Sequence, residues 1–334
     1  MKISASIYSD NKRSLKEIIR DLHAHKIDLL HVDCNDDPSV FEDIKEIRKI
    51  CDLPIDLHLI TSNPEKYFEL LIENPVEYIT FQFENLTEAL ALPKNMQGKK
   101  GIAITTDTPV DVFKGFQNFD FILIMATTPG QSGGVFDKAN FNKIRQFRKS
   151  FPSKNIHVDG GVNAEVSFIL RNLGVSSCVS GSYLFNEASI GNAILNLTKR
   201  EADSSYRVDD FMTPLVDCPV ASLESHSCKE ILEIVDRGNI GFCLVTDASG
   251  KLHGIVSSAD IRKATLKNWD SIPGMQKSDL INEQPLVVDQ NATVKALLQK
   301  IKASKFPVMY LPVINSNIEA VGIVNFTNLI KGES

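Results

Sequence analysis

The stretch LLHVDCNDD, residues 29–37, places His31 and Asp33 two positions apart where an apolar run gives way to a polar turn. In a β-strand, side chains two positions apart project to the same face, so this imidazole and this carboxylate point together. Two more runs end in the same manner, IDLHLI (55–60) carrying His58 and NIHVD (155–159) carrying Asp159. Taken singly, each of these residues also fits an ordinary hydrogen-bonded group at a strand end. Brought to one point, two imidazoles and two carboxylates form a mixed donor set that suits Zn2+, Fe2+, Mn2+ or Co2+ without choosing among them. A divalent cation between two carboxylates suits proton abstraction beside a carbonyl, the cation stabilising an enediolate while each carboxylate serves one face. His157 is expected one layer deeper in the core, and His23 and His25 on the surface of a helix.

The elements that would bring these residues together are written in the alternation of residues 1–200. Strand-like runs occur at 3–8, 28–33, 55–60, 77–83, 101–105, 119–125, 155–159 and 176–181. Between them lie amphipathic segments such as NKRSLKEIIRDLHAH and NFNKIRQFRKSF, several opening on a capping residue or an early proline. Eight strand and helix units in that length predict an α/β fold, a compact (β/α)8 barrel of the TIM type, whose active sites gather at the C-terminal ends of the strands. A doubly wound sheet is the alternative, but no G-x-G-x-x-G follows the first strand. After the seventh and eighth strands come VDGGV (158–162) and VSGSYLF (179–185), glycine turns at the place where such barrels hold phosphate on backbone N–H groups.

Composition narrows the function classes. The 334 residues are 43% hydrophobic, enough for at least one sizeable core and long enough to favour two domains, and the formal net charge of −6 with no Lys/Arg-rich tract argues against nucleic acid as a partner. No apolar run approaches the ~20 residues of a membrane span, and the N-terminus meets a charge at Asp10, so a cytoplasmic protein without membrane association is expected. Six cysteines lie scattered without a Cys-x-x-Cys and read as reduced core thiols.

Apolar content falls at 199–210, which predicts a linker over 201–210 between a barrel at 1–200 and a second part at 211–334. That part repeats one order of elements, a short strand, a helix, two strands joined by a polar turn and a final helix, at 211–270 and again at 278–332. Neither copy alone would bury its sheet, so the two are expected to pack as a pseudo-symmetric pair.

Residues 1–200 resemble the ribulose-phosphate 3-epimerases. The resemblance is carried by SIYSD (6–10), HVD (31–33), DLHLI with NPEKY (56–67), ITFQFE (79–84), TPVDVF (108–113), MATTPGQSGGVF (125–136), VDGGV (158–162) and SGSYLF (180–185). It implies a metal held by His31, Asp33, His58 and Asp159, with Asp33 and Asp159 as the acid–base pair that inverts C3 of a ketose phosphate. It further implies phosphate on Gly133, Gly160, Gly161, Gly181 and Ser182, with Ser6 and Met125 lining the pocket. The chain departs from its relatives in four places. CNDDPSVFEDI runs straight into a helix where a long lid is usual, Asn35 and Ile60 stand where methionines are usual, Gln82 replaces a histidine, and PGQSGG replaces a motif closer to PGFGGQ. Asn35 and Asp36 therefore mark where a different substrate would be met.

The repeated part resembles a tandem pair of CBS domains, an α+β module that commonly binds adenine nucleotides. GIVSSADIRKA (254–264) places Ser257 and Ser258 at a helix start for phosphate and Asp260 for ribose hydroxyls. The second copy, GIVNFTNLI (322–330), has Asn325 and Asn328 in the corresponding positions and predicts a weaker site. The expected protein is a metal-dependent ketose-phosphate 3-epimerase, an isomerase taking D-ribulose 5-phosphate to D-xylulose 5-phosphate, with a CBS module for regulation and homo-oligomer formation. Allulose 6-phosphate or a heptulose phosphate is the alternative substrate, and a catalytically silent nucleotide-sensing scaffold the alternative function.

Overall fold

The computed structural model describes residues 1–88, 90–130, 133–198, 206–304 and 306–328. Eight parallel strands close a barrel in sequence order: β1 (Lys2–Ser6), β2 (Leu29–Cys34), β3 (Ile55–Leu59), β4 (Tyr78–Gln82), β5 (Lys99–Ile104), β6 (Phe121–Met125), β7 (Asn155–Asp159) and β8 (Ser177–Ser180). Closure is made by β1 against β8, with Ala5 opposite Ser180. Runs such as FILIM in β6 are buried on both faces, which is why they read as continuous apolar stretches rather than as alternation.

Inward-facing residues set the floor under the site. Leu29, Tyr78 and Phe121 pack together near the N-terminal ends of their strands, and the His157 ring stacks on Phe121 at 4.1 Å between centroids. His157 is thus the core residue expected, and burial pushes its imidazole down to about 4, so it stays neutral. Gly101 makes room for this layer, since a Cβ there would lie 2.2 Å from the Phe121 ring. Above the floor the interior is divided. Ala103, Leu123 and Met125 form an apolar cluster, while Ser4, His31, Asp56, His58 and Thr80 are buried polar groups from β1 to β4.

The helices wrap this barrel by apolar faces and defined caps. Leu15–Ala24 opens on a capping box between Ser14 and Glu17 and buries Ile18, Ile19 and Leu22. Ala164–Asn172 opens on Asn163, whose side chain accepts from Val166 N.

Contacts divide the chain into two compact units, the second spanning 203–327. It holds β9 (Thr213–Pro214), β10 (Val220–Ser222), β11 (Phe242–Thr246), β12 (Leu252–Ser257), β13 (Val288–Asp289), β14 (Tyr310–Ile314) and β15 (Ala320–Asn325). One sheet runs β10-β11-β12 and the other β13-β14-β15-β9. The strand opening the first repeat therefore completes the sheet of the second, Thr213 pairing with Ile323. In return, Asn282 of the second repeat makes a single antiparallel bridge to Ile255 of β12.

The linker expectation needs correcting. Residues 201–205 lie outside the described residues, but 207–210 are not a linker. Val208–Phe211 is a short helix with both terminal residues buried, and Val208 N and Asp209 N donate to Ala292 and Gln290. Two apolar residues three apart anchor this otherwise charged turn to the second unit. Among the described residues, no helix is long and apolar enough to cross a membrane.

Candidate metal centre and active site

β2, β3 and β7 bring His31, Asp33, His58 and Asp159 together, with one ligand atom from each lying within 4.8 Å of the others. Asp33 Oδ1 stands 3.2 Å from His31 Nε2 and 3.3 Å from His58 Nδ1, and Asp159 Oδ2 is 3.6 Å from His31 Nε2. Both imidazoles are fully buried, whereas the two carboxylates keep 17% and 16% of their side-chain surface and so face the cavity.

Each histidine is held from behind by a different partner. His31 Nδ1 lies 3.0 Å from Asp56 Oδ2, which also accepts from Ser4 Oγ at 3.1 Å. His58 Nε2 lies 2.8 Å from Gln82 Oε1. His31 therefore presents Nε2 to the centre and His58 presents Nδ1. Such backing fixes ring orientation and tautomer in metal sites.

Two observations test whether a cation fits. Among the described residues, buried His58 Nδ1 has no hydrogen-bond partner, although it faces a carboxylate oxygen at 3.3 Å. Two lone-pair-bearing atoms so placed repel each other unless a cation lies between them. Ligands about 2.0–2.1 Å from a tetrahedral ion stand ~3.3 Å apart, and the separations of 3.2, 3.3 and 3.6 Å bracket that edge. The residues present fit a divalent metal.

Electrostatics agree with a site of concentrated charge. Burial opposes a charge on His31, but facing Asp33 and Asp56 outweighs it and holds the imidazole well above its ordinary value. Asp33 is likewise penalised by burial yet held far below the usual carboxylate range by the His31 edge. Asp159 goes the other way, raised to about 6 by burial, with Asp33 adding to the rise. Without a bound cation, their environments thus push the two carboxyl groups in opposite directions.

Above the centre opens a cavity of about 360 Å3. Of the residues expected there, Ser6, Asp33, Asn35, Gly133, Asp159, Gly160, Gly161, Gly181 and Ser182 line it. Gly160 is required by close approach and conformation together, with φ +107° and a Cβ position 2.2 Å from Thr127 Oγ1. Met125 is not among the lining residues; it is buried with Ala103 and Leu123. Asp36 also turns elsewhere. Its carboxylate accepts from Thr61 Oγ1, from Tyr67 OH at 3.1 Å and from Lys66 Nζ at 2.5 Å, stapling the short 35–39 loop to the segment after β3. Gln131 and Ser132 of PGQSGG lie outside the described residues.

A family model described as "Ribulose-phosphate 3 epimerase family" matches residues 2–185. The chain belongs to that family. A CBS domain model matches twice, at 208–267 and 278–333, so the epimerase barrel is followed by a CBS pair. The ribulose-phosphate 3-epimerase of Bacillus subtilis is 27% identical over 209 residues, covering 58% of this chain and 96% of the relative. That of Methanocaldococcus jannaschii is 29% identical over 227 residues, with 64% and 95% covered. That of Buchnera aphidicola is 31% identical over 201 residues, with 55% and 88% covered. These epimerases are isomerases acting on carbohydrates, and the chain falls in that enzyme class. Among solved structures, the CBS-pair protein CBSX2 from Arabidopsis thaliana is 26% identical and covers 39% of this chain and 95% of its own, with a TM-score of 0.32.

In the CBS pair, Ser257 and Asp260 are bound to each other. Ser257 Oγ and N donate to Asp260 Oδ2 at 2.6 and 3.0 Å, a capping box, and Ser258 Oγ donates to Gly241 O at 3.2 Å. In the second copy Asn325 Oδ1 accepts from Thr327 N at 2.9 Å instead. For the epimerase barrel, sequence reasoning missed Asp56 behind His31, Glu84 behind Gln82, and the cavity residues Tyr8, Thr127 and Asn163. Asp56 did leave a signal: it stands two residues before His58 in IDLHLI and so shares its inward face.

Proposed function

We propose that the barrel inverts C3 of a ketose phosphate, with D-ribulose 5-phosphate and D-xylulose 5-phosphate the first pair. The reading is carried by one observation: two carboxylates with opposed protonation tendencies, Asp33 and Asp159, meet two buried imidazoles at the foot of a cavity whose other end is built from glycine turns. His31, Asp33, His58 and Asp159 would hold a divalent cation, which would supply Lewis-acid stabilisation of the negative charge that develops when the C3 proton leaves. The glycine turns at Gly160–Gly161 and Gly181–Ser182, with Gly133, hold the phosphate end. One of the two carboxylates removes the C3 proton on its own face of the sugar. The other delivers a proton to the opposite face, and the C3–H bond is remade with inverted configuration. His31 and His58, fixed from behind, keep the two carboxylates in register.

A second substrate reading has its own support. Where relatives usually present methionine, Asn35 lines the cavity, beside Asn163, Tyr183 and Asn186. Such a wall of amides and a phenol offers hydrogen bonds to the extra hydroxyls of a hexulose or heptulose phosphate. The test for both is to incubate metal-loaded protein with ribulose 5-phosphate, allulose 6-phosphate and a heptulose phosphate in D2O. Inversion with deuterium entering at C3 supports the reading and ranks the substrates. No exchange with any of them, with metal confirmed bound, overturns it in favour of a silent scaffold.

For the CBS pair we propose an adenine or related nucleotide as ligand and regulator. The first copy offers hydroxyls at Ser257 and Ser258 and a carboxylate at Asp260, where the second copy has Asn325 and Asn328. Exposed Leu266 and Trp269 in this part support self-association into a homo-oligomer. Asp260→Ala is expected to weaken nucleotide binding while Asn328→Ala changes little. The cytoplasm is the proposed compartment.

A further inference from the structure

His58 offers its Nδ1 to the centre, and the reason lies two residues further out. Gln82 Oε1 is 2.8 Å from His58 Nε2, and Gln82 Nε2 donates to Glu84 Oε2. A glutamine side chain has one accepting end and one donating end, whereas an ionised carboxylate only accepts. Whatever Glu84 takes therefore decides which end of Gln82 meets the histidine. The carboxylate is itself held in place. Its Oε1 accepts from Thr105 N at 2.9 Å, from Thr105 Oγ1 at 3.1 Å and from Thr108 Oγ1. The same turn is fastened by Lys143, whose Nζ donates to Thr105 O at 2.7 Å and to Thr108 O. Burial opposes ionisation of Glu84, but these donors win and lower its carboxyl below the ordinary value, so it accepts at neutral pH.

We propose that Glu84 is a positioning residue for the metal centre: through Gln82 it locks His58 in the Nε2–H tautomer and leaves Nδ1 bare to bind metal. His31 is backed by a carboxylate directly, at Asp56. His58 receives the same service through a neutral amide, so its ring is oriented without a second negative charge next to Asp33 and Asp159. This assignment rests on the reading of His58 as a ligand, and it is tested without substrate or turnover, so its failure is distinct from failure of the epimerase reading.

The experiment uses the full-length protein, metal-free and labelled with 15N at histidine, with two-bond 15N–1H couplings recorded at pH 9 to read the neutral tautomer. The wild type is expected to show His58 as Nε2–H alone. In Glu84→Gln the replacement amide either donates or accepts, Gln82 is free to flip, and a mixture of both tautomers is expected. Zinc affinity, measured by competition with a chromophoric chelator, is expected to fall about 10–100-fold in the same variant. Gln82→Leu, which removes the acceptor altogether, is expected to give the same mixture and serves if Glu84→Gln fails to fold. A wild-type His58 in the Nδ1–H form overturns the assignment. So does a folded variant of either kind that keeps pure Nε2–H and wild-type zinc affinity.

Discussion

Replacing Asp159 by asparagine preserves the side chain's shape and one oxygen while removing its capacity to take a proton. The oxygen that matters lies 3.6 Å from His31 Nε2 within a ligand set no wider than 4.8 Å, so the amide oxygen of the variant can occupy the same corner. A positioned acid–base group contributes ~10²–10⁴-fold, equivalent to about 2.7–5.4 kcal/mol of barrier. Inversion needs one group on each face, so epimerisation from either epimer is expected to fall by at least ~100-fold. Asp33 remains, and it still removes the proton of the epimer whose C3–H faces it. After exchange with solvent it returns deuterium to the same face. Deuterium incorporation without inversion should therefore persist for one epimer and vanish for the other. The assay follows both epimers in D2O by NMR, with metal content measured on the same sample so that loss of ligand is separated from loss of base. Two results would refute the two-carboxylate reasoning: epimerisation within ~10-fold of wild type with metal retained, or equal incorporation in both epimers.

Three further outcomes follow from the geometry. Asp56→Ala strips the acceptor from buried His31 Nδ1 and Ser4 Oγ; denaturant unfolding should show a loss of about 3–5 kcal/mol, and chelator competition a ~10–100-fold weaker metal site. Gly160→Ala forces a Cβ to 2.2 Å from Thr127 Oγ1 at φ +107°, costing about 1–3 kcal/mol by thermal unfolding and raising KM, because Thr127 lines the cavity. The carboxyl of Glu84 is lowered from an ordinary value of 4.5, so its stabilisation is complete above that pH and is lost as pH falls through the folded value. Glu84→Gln should flatten this acid limb in pH-dependent unfolding, and an unchanged limb would show that the carboxylate is not ionised in the fold.

The second-strand loop shows how far local reading reaches. CNDD marked a short connection before a helix, and the chain does enter the helix Val40–Ile50 after residues 35–39. Which of its polar residues would face substrate was not legible. Asn35 reaches the cavity while Asp36, at φ 58°, swings to Thr61, Lys66 and Tyr67. That choice depends on partners 25 to 31 positions away. Met125 stands beside Asp159 in strand register, yet its side chain is buried with Ala103 of β5 and Leu123 of its own strand, a packing that local pattern does not reveal.

The sequence by itself determined the eight strands, the repeat, and the shared face of His31 and Asp33, because period two along a strand fixes which side chains point together and apolar content fixes where each strand ends; barrel closure brought His58 and Asp159 beside them. The tertiary structure alone decided which nitrogen of each histidine meets the centre, since Asp56 takes Nδ1 of His31 and Gln82 takes Nε2 of His58 across neighbouring strands. It alone decided that β9 would close the sheet of the other repeat. Each is a hydrogen-bonding decision between segments distant in sequence, and strand pairing, not local pattern, brings those segments within reach.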